Sequence, residues 1–382
     1  MTSKWHEVPL RDLVGYISKG IAPSYADDET DTTIRVLNQK CNRNYQISYS
    51  ESRLHDTAKK KVPAERYVKR DDILINSTGA GTAGRIAQIG AVPCDTTVDG
   101  HMIILRANEK VMQRYLGYAL KAHQWEVLQL DEGSTGQTEL NRERLLDEII
   151  ICYPESFSDQ EEIVLMLESI DQKMLVNKQI NDNLQQQLEA LYRGTIKDSV
   201  AECESVTLDQ WCHIFTGKKN ANQFDEDGQY MFFTCGEKPL RINSYIYDGP
   251  AIIISGNGSY TGRTLFYNGR FDLYQRTYAC TLKDAIPSEY IFGLYAILKI
   301  ELHSKIAGGT HGSSIPYIVM NDLAKFEFPF NHTEFADFSE KAKTLLTAIQ
   351  HNQRQNETLS QIRDALLPKL MSGEIDVANF DF

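Results

Sequence analysis

The chain has 382 residues, 42% hydrophobic and 24% charged, a usual size for two domains that each bury a core. Its longest apolar runs, such as Ala251 to Ile254 and Ile149 to Cys152, are far short of a membrane span, and Met1-Thr2-Ser3-Lys4-Trp5-His6-Glu7 lacks the apolar core of a signal peptide, so a cytoplasmic protein without a membrane partner is expected. A net charge of −12 speaks against a uniformly basic nucleic-acid binder, and seven cysteines without a Cys-x-x-Cys pair speak against disulfides or a zinc cage.

From Trp5 to about Pro154 short β-rich pieces alternate with glycines and polar turns, with one helical stretch near Met112 to Leu130, an α+β texture. Acidic residues gather in Asp27-Asp28-Glu29, whereas Lys59, Lys60, Lys61, Arg66, Lys69 and Arg70 form a basic cluster, either a solvated loop or a set of phosphate contacts. Gly79-Ala80-Gly81-Thr82-Ala83-Gly84 matches the spacing of a dinucleotide fingerprint, but that reading needs a helix to begin there. Arg85-Ile86-Ala87-Gln88-Ile89-Gly90 follows instead, so a glycine turn between strands is the better reading.

Pro154 marks a break, and Ser158 with Glu161 three residues on reads as a capping box opening a long helix. Its seam, Ile163, Leu167, Ile170, Met174, Asn177, Asn181, Leu184, Leu188 and Leu191, steps by four and three as in a coiled coil, and Gly194 offers a stop. β-rich text resumes from Val206 to Phe330. A second seam follows at Phe338, Ala342, Leu345, Ile349, Asn352, Asn356, Leu359, Leu366 and Leu370, interrupted by Arg363 and ended by Pro368 and Gly373.

The second half repeats the first. Ile17-Ser18-Lys19-Gly20 returns as Ile214-Phe215-Thr216-Gly217, and the run Asp72 to Gly84-Arg85 as Asp248 to Gly262-Arg263. Gly133-Ser134-Thr135-Gly136 returns as Gly309-Thr310-His311-Gly312, and Asn177, Asn181, Leu184, Ala190, Leu191 as Asn352, Asn356, Leu359, Ala365, Leu366. The offset of about 175 residues far exceeds the ~20–50-residue period of a solenoid, so the unit is a domain plus a helix. The first copy is expected to carry an additional stretch of about twenty residues, roughly Ala26 to Tyr45, a surface-loop difference.

Each seam runs about 30 residues, roughly 45 Å, too long to be buried inside one domain, so the two helices are expected to cover each other antiparallel about a pseudo-twofold axis. In that pairing Asn177 meets Asn356 and Asn181 meets Asn352, fixing register at a cost in stability; alternatively the four face solvent or another protein where the coil splays. No enzyme motif rises above background: there is no His-Glu-x-x-His, nucleophile elbow or metal cluster among the nine histidines, and no Asn-Pro of an amino-methyltransferase tetrad.

Two β-rich domains alternating with two long helices, together with Leu366-Leu367-Pro368-Lys369-Leu370-Met371-Ser372-Gly373-Glu374-Ile375, resemble the DNA-specificity subunit of type I restriction-modification enzymes over essentially the whole chain. Tyr153-Pro154 before Asp159-Gln160-Glu161-Glu162-Ile163, and Asn268-Gly269-Arg270-Phe271 before Arg276-Thr277-Tyr278, add to the resemblance. It implies an α+β protein with target-recognition domains at residues 1–157 and 201–331, spacer helices at 158–200 and 332–376, and a tail at 377–382. It also implies a non-catalytic chain. Each domain would read half of an asymmetric split site in double-stranded DNA, and the coil would set the spacer. Two methyltransferase subunits would bring S-adenosylmethionine, and restriction or translocase subunits would use ATP with Mg. The rival reading is a coiled-coil interaction scaffold without DNA recognition.

Base recognition needs Arg or Lys for guanine and Asn or Gln for adenine, so the repeated polar loops supply the candidates. In the first domain these are Ser77, Thr78, Arg85, Thr135, Gln137, Asn141 and Arg142. In the second they are Asn257, Ser259, Arg263, Gln275, Arg276, Thr310, His311, Ser313 and Ser314, each of which could instead be a turn residue bonding its own backbone. Lys59, Lys60 and Lys61 are weaker candidates for phosphate. Replacing Arg263 or Gln137, if either is a bidentate reader, is expected to cost ~1–3 kcal/mol on one base only.

Overall fold

The computed structural model describes residues 4–132, 138–198, 203–307 and 317–375. The chain forms two compact units, Met1–Met174 with Glu357–Phe382, and Leu175–Asn356. Thr135, Gln137, Thr310, His311, Ser313 and Ser314 lie outside the described residues.

In the first unit the strands Val14–Lys19, Met102–Ala107, Ile73–Asn76 and Ile86–Gln88 form an antiparallel sheet in that order. The unbroken run Ile73-Leu74-Ile75 is explained by burial on both faces. Ile73, Ile75, Ile103 and Leu105 join one core with Tyr115 and Leu116 of the helix Gln113–Ala122, whereas Leu74 and Ile104 join another with Leu37 and Val68. A second four-stranded sheet places Thr33–Leu37 between Thr96–Val98, to which it is parallel, and Arg53–Asp56. Trp5–Pro9 pairs with Ile150–Pro154 and brings the start of the chain to the first long helix.

The second unit carries the same plan in one six-stranded sheet, ordered Cys212–Thr216, Thr277–Leu282, Tyr247–Ser255, Thr264–Leu273, Tyr230–Phe233 and Leu240–Ile242. Ile252 and Ile254 face the core that holds Leu294, Ile297 and Leu298, and Ala251 and Ile253 face Phe271 and Leu273. The register identifies equivalent places. Lys19 lies opposite Ile103 and Asn76 opposite Met102, as Thr216 lies opposite Tyr278 and Ser255 opposite Thr277. A Cβ on Gly20 would collide with the Val98 carbonyl oxygen, and one on Gly217 with that of Leu273, which is why glycine recurs there.

The long helices span Phe157–Tyr192 and His332–Met371. Within the first unit Ile163 and Leu167 share a core with Leu367 and Leu370, and Arg363 Nη1 donates to Asp171 Oδ1 at 2.9 Å. Within the second, Leu188 shares a core with Phe338, Ala342 and Leu346. There Asn177 Nδ2 donates to Asn356 Oδ1 at 2.8 Å and to Gln355 Oε1 at 2.7 Å, and Asn352 Nδ2 to Asn181 Oδ1 at 2.9 Å. In both units the two helices run antiparallel. Asn177 is only 1% exposed. Truncating it to alanine is expected to leave the facing amides short of a partner and cost about 1–3 kcal/mol, whereas Asn177→Leu with Asn356→Leu should be close to neutral. Urea unfolding of the singles and the double separates the pair's coupling from loss of packing.

Several local expectations shift. The first long helix is capped by Ser156, whose Oγ accepts from Asp159 N at 3.3 Å, not by Ser158, because the buried Gln160 ties back to Pro154 O at 2.9 Å and fixes the entry two residues earlier. The second seam buries Leu346 and Leu367 more fully than Leu345 and Leu366, which pack half-buried on the same cores, and the helix passes through Pro368 to Met371, with Gly373 just beyond it at a φ of +74°. The text from Val206 to Phe330 hides a helix, Ile291–Ala307, whose buried residues lie on every side and leave no amphipathic stripe to read. The additional residues of the first copy begin later than Ala26 and share only 38–45 with the expected stretch. Asp99 N bonds Leu37 O as Tyr274 N bonds Phe233 O, so the copies keep step to that point, and the connection 38–52 stands where the second copy has 234–239. Asp72 and Asp248 are likewise not equivalent: Asp72 is buried against Arg106, and Asp248 lies in an exposed pair with Arg270.

Candidate nucleic-acid interface

The glycine turn of the first unit is held at both ends by its own strands, with Asn76 N donating to Arg85 O at 2.9 Å and Gly84 N to Asn76 O at 2.8 Å. Gly79, Gly81 and Gly84 all have positive φ, so the turn follows a path that other residues adopt only under strain, and it opens no helix. Its neighbours are drawn in by backbone bonds: Ser77 N to His101 O at 2.8 Å, Leu140 N to Ser77 O at 2.8 Å and Gly79 N to Thr138 O at 3.1 Å. The segments at 77–85, at His101 and at 138–142 therefore form one surface.

The second unit repeats this wiring. Ser255 N donates to Arg263 O at 3.0 Å, Gly262 N to Ser255 O at 2.8 Å, Gly256 N to Arg276 O at 2.9 Å and Ile318 N to Gly256 O at 2.8 Å. Isolated bridges match as well, Thr78 with Glu139 in one unit and Asn257 with Tyr317 in the other. Arg85 thus corresponds to Arg263, and His101 to Arg276.

Side chains of the candidates differ in what they have left to offer. Ser77 is fully buried and donates to Gly100 O at 3.3 Å. The Thr78 hydroxyl stands 2.7 Å from His101 Nδ1 and 3.2 Å from Gln39 Oε1. Arg85 Nη2 reaches Gly81 O at 3.3 Å. Asn141 caps the short helix Arg142–Glu148, accepting from Glu143 N at 3.0 Å and Arg144 N at 3.1 Å, and Arg142 is exposed 3.4 Å from Glu143. Asn257 is half-buried, whereas Ser259, Gln275 and Arg276 are exposed. Arg276 makes no side-chain hydrogen bond or ion pair among the described residues.

Arg263 is committed elsewhere. Its Nη1 donates to Glu237 O at 2.8 Å and its Nη2 to Gly236 O, and the guanidinium lies 4.5 Å from the centre of the Tyr260 ring. It clamps the connection 234–239 onto the glycine turn. Arg263→Ala is expected to lower the local opening free energy there by about 1–3 kcal/mol, read as faster amide exchange at Gly236, Glu237 and Lys238. Of the lysines, Lys59 pairs with Asp56 at 3.4 Å, Lys60 donates to Ala22 O at 2.7 Å, and Lys61 is exposed. Arg66 reaches Gly20 O at 3.3 Å, so two members of the basic cluster brace the Gly20–Ala22 turn.

A model of the type I restriction modification DNA specificity domain matches residues 2–186 and again residues 201–357. The chain belongs to this family. The type I restriction enzyme EcoDI specificity subunit of Escherichia coli is 36% identical to it over 177 residues, which are 45% of this chain and 38% of that relative. The chain thus spans well under two thirds of that relative's length. Among solved structures, the S subunit of a type I restriction-modification system from M. genitalium is similar over 97% of this chain and 96% of its own, at a TM-score of 0.60 and 14% identity, a likeness of fold.

The two matches of the DNA specificity domain family fall on the two halves whose turns share their wiring. Sequence reasoning missed Gln39, His101 and the connection 234–239. A signal for His101 was present: the repeat offset of about 175 residues carries Arg276 back onto it. Its partner Asp99 is buried, which pushes the carboxyl above the ordinary range despite the 2.9 Å bond it accepts from His101 N. No comparable signal marks Gln39, which reaches Thr78 through a 3₁₀ turn from a distant strand.

Proposed function

We propose that this chain is the sequence-specific DNA-binding specificity subunit of a type I restriction-modification complex, each unit reading one half of a bipartite, asymmetric site. The observation that carries the reading is the pair of equivalently wired turn surfaces, alike in backbone and different in side chains, in a chain whose family is defined by DNA specificity. A shared frame offers the same geometry to two half-sites, and differing side chains make those half-sites different. The target-recognition domains are assigned to residues 1–157 and 201–331, the spacer helices to 158–200 and 332–376. Their antiparallel pairing, with asparagines at the seam, would fix the register of the coil and so the number of unread base pairs.

The chain acts without chemistry of its own in this reading. Two methyltransferase subunits supply S-adenosylmethionine, restriction or translocase subunits use ATP with Mg, and the complex works in the cytoplasm. No described helix is long and apolar enough to cross a membrane. A gel shift of the chain with its methyltransferase partner, run across a salt series and against mixed-sequence competitor, tests the proposal. Salt-sensitive retention of one bipartite sequence over competitor is the expected result. Assembly with the methyltransferase but no retention of any DNA would favour the scaffold reading.

A further inference from the structure

The two recognition surfaces carry different side chains at a place where their backbones agree. Met102 opposite Asn76 and Thr277 opposite Ser255 put His101 and Arg276 one residue before the same rung of the sheet. The bonds Ser77 N to His101 O at 2.8 Å and Gly256 N to Arg276 O at 2.9 Å seat both beside the glycine turn. Both side chains are exposed. The arginines at the ends of the two turns are less available: Arg263 is clamped on two carbonyls and Arg85 folds back on Gly81.

The hydrogen bonds around His101 determine what it can offer. Gln39 Oε1 accepts only, and the Thr78 hydroxyl between it and His101 Nδ1 has one proton to give. Given to Gln39 at 3.2 Å, that proton leaves the Thr78 oxygen to accept from His101 Nδ1–H at 2.7 Å. The neutral imidazole then carries its proton on Nδ1, and Nε2 is an acceptor. An outward acceptor suits the exocyclic amino group of adenine or cytosine, whereas the fork of Arg276 suits the O6 and N7 acceptors of guanine.

We propose that His101 and Arg276 are the paired specificity-determining side chains of the two domains, Arg276 reading a guanine in one half-site and His101, oriented by Thr78 and Gln39, reading an adenine or cytosine amino group in the other. This rests on the DNA-binding reading above. It makes Thr78 and Gln39 positioning residues and Arg263 part of the frame.

The test is selection of bound duplexes from a randomised library by the full chain assembled with its methyltransferase partner. Wild type should return a two-part consensus. Arg276→Ala should erase one guanine in one half and reduce discrimination there by about ten- to hundredfold, leaving the other half intact. Arg276→Lys keeps the charge but not the fork, and should lose that guanine while retaining most of the overall affinity. His101→Ala should relax one adenine or cytosine in the opposite half, and Thr78→Val, which frees the imidazole tautomer, should broaden the same position to admit guanine. An unchanged consensus in either alanine variant, or an equal loss on all sequences, overturns the assignment. A wild-type complex that returns no consensus overturns the DNA-binding reading itself, a different and distinguishable failure.

Discussion

Arg106→Ala is expected to lower the stability of the first unit by about 3–5 kcal/mol, the cost of stranding a buried carboxylate. The guanidinium donates to both carboxylate oxygens of Asp72, Nε and Nη2 each at 2.7 Å, and the Asp72 side chain is 3% exposed. It also binds Glu65 O and Tyr67 O at 2.8 Å and lies 4.9 Å from the centre of the Tyr16 ring. A single side chain therefore joins the strand that leads into the glycine turn to the segment 64–67. That segment in turn braces the interface, because Arg66 reaches Gly20 O and Thr97 Oγ1 donates to Arg66 O at 2.9 Å. Losing Arg106 should both destabilise the unit and loosen the Gly20 end of the surface. Guanidinium unfolding followed by hydrogen exchange resolved to each unit would show it, with the strands of the second unit unaffected. A loss below about 1 kcal/mol would mean that the pair behaves as an exposed ion pair and that the frame is held by packing alone.

Trp211→Ala should be comparably damaging to the second unit, about 3–5 kcal/mol by analogy with buried aromatic truncations. Trp211 is 4% exposed. It meets Phe328, Phe330 and Phe335 edge-on at centroid distances of 5.1, 4.8 and 5.0 Å and stacks on Tyr290 at 5.7 Å. Phe335 belongs to the long helix His332–Met371 and Phe328 to the strand Glu327–Phe330, so the indole joins the sheet, the closing strand and the helix in one cluster. Offset and edge-on contacts add to the area buried, and alanine would leave a cavity lined by rings that cannot all collapse into it. Trp211→Phe should recover much of the loss. A cycle with Phe335→Ala should be strongly non-additive, because the two rings share neighbours. Additive losses in calorimetry would show that the cluster relaxes independently around each hole.

The sequence was legible where its signal is local. Alternation of fours and threes from Ile163 onward is a property of one helix and its partner face, and the structure has long helices, Phe157–Tyr192 and His332–Met371, where the two seams run. The glycine turns were legible too, because a helix could not start at Arg85-Ile86-Ala87 and none does. The helix Ile291–Ala307 was not, since burial on all sides erases the period that would betray it. The start of the first unit's additional residues was placed too early for a related reason. Short strands such as Thr33–Leu37 are recognised by whom they pair with, and their pairing partners Thr96–Val98 and Arg53–Asp56 lie far along the chain.

By itself, then, the sequence determined that the chain is a duplicated domain-and-helix unit with polar residues set into two apolar seams, because repeat offset and helical period are carried by neighbouring residues. Only the tertiary structure decided which polar side chains share a surface. It put His101 and Arg276 at equivalent places in their two units, closed Arg263 onto the backbone of 236–237, buried Asp72 on Arg106 and brought Gln39 to Thr78. Each of these depends on strand register between segments tens of residues apart. Register is fixed by burying both faces of the sheets, a property of the assembled core and not of any one stretch of chain.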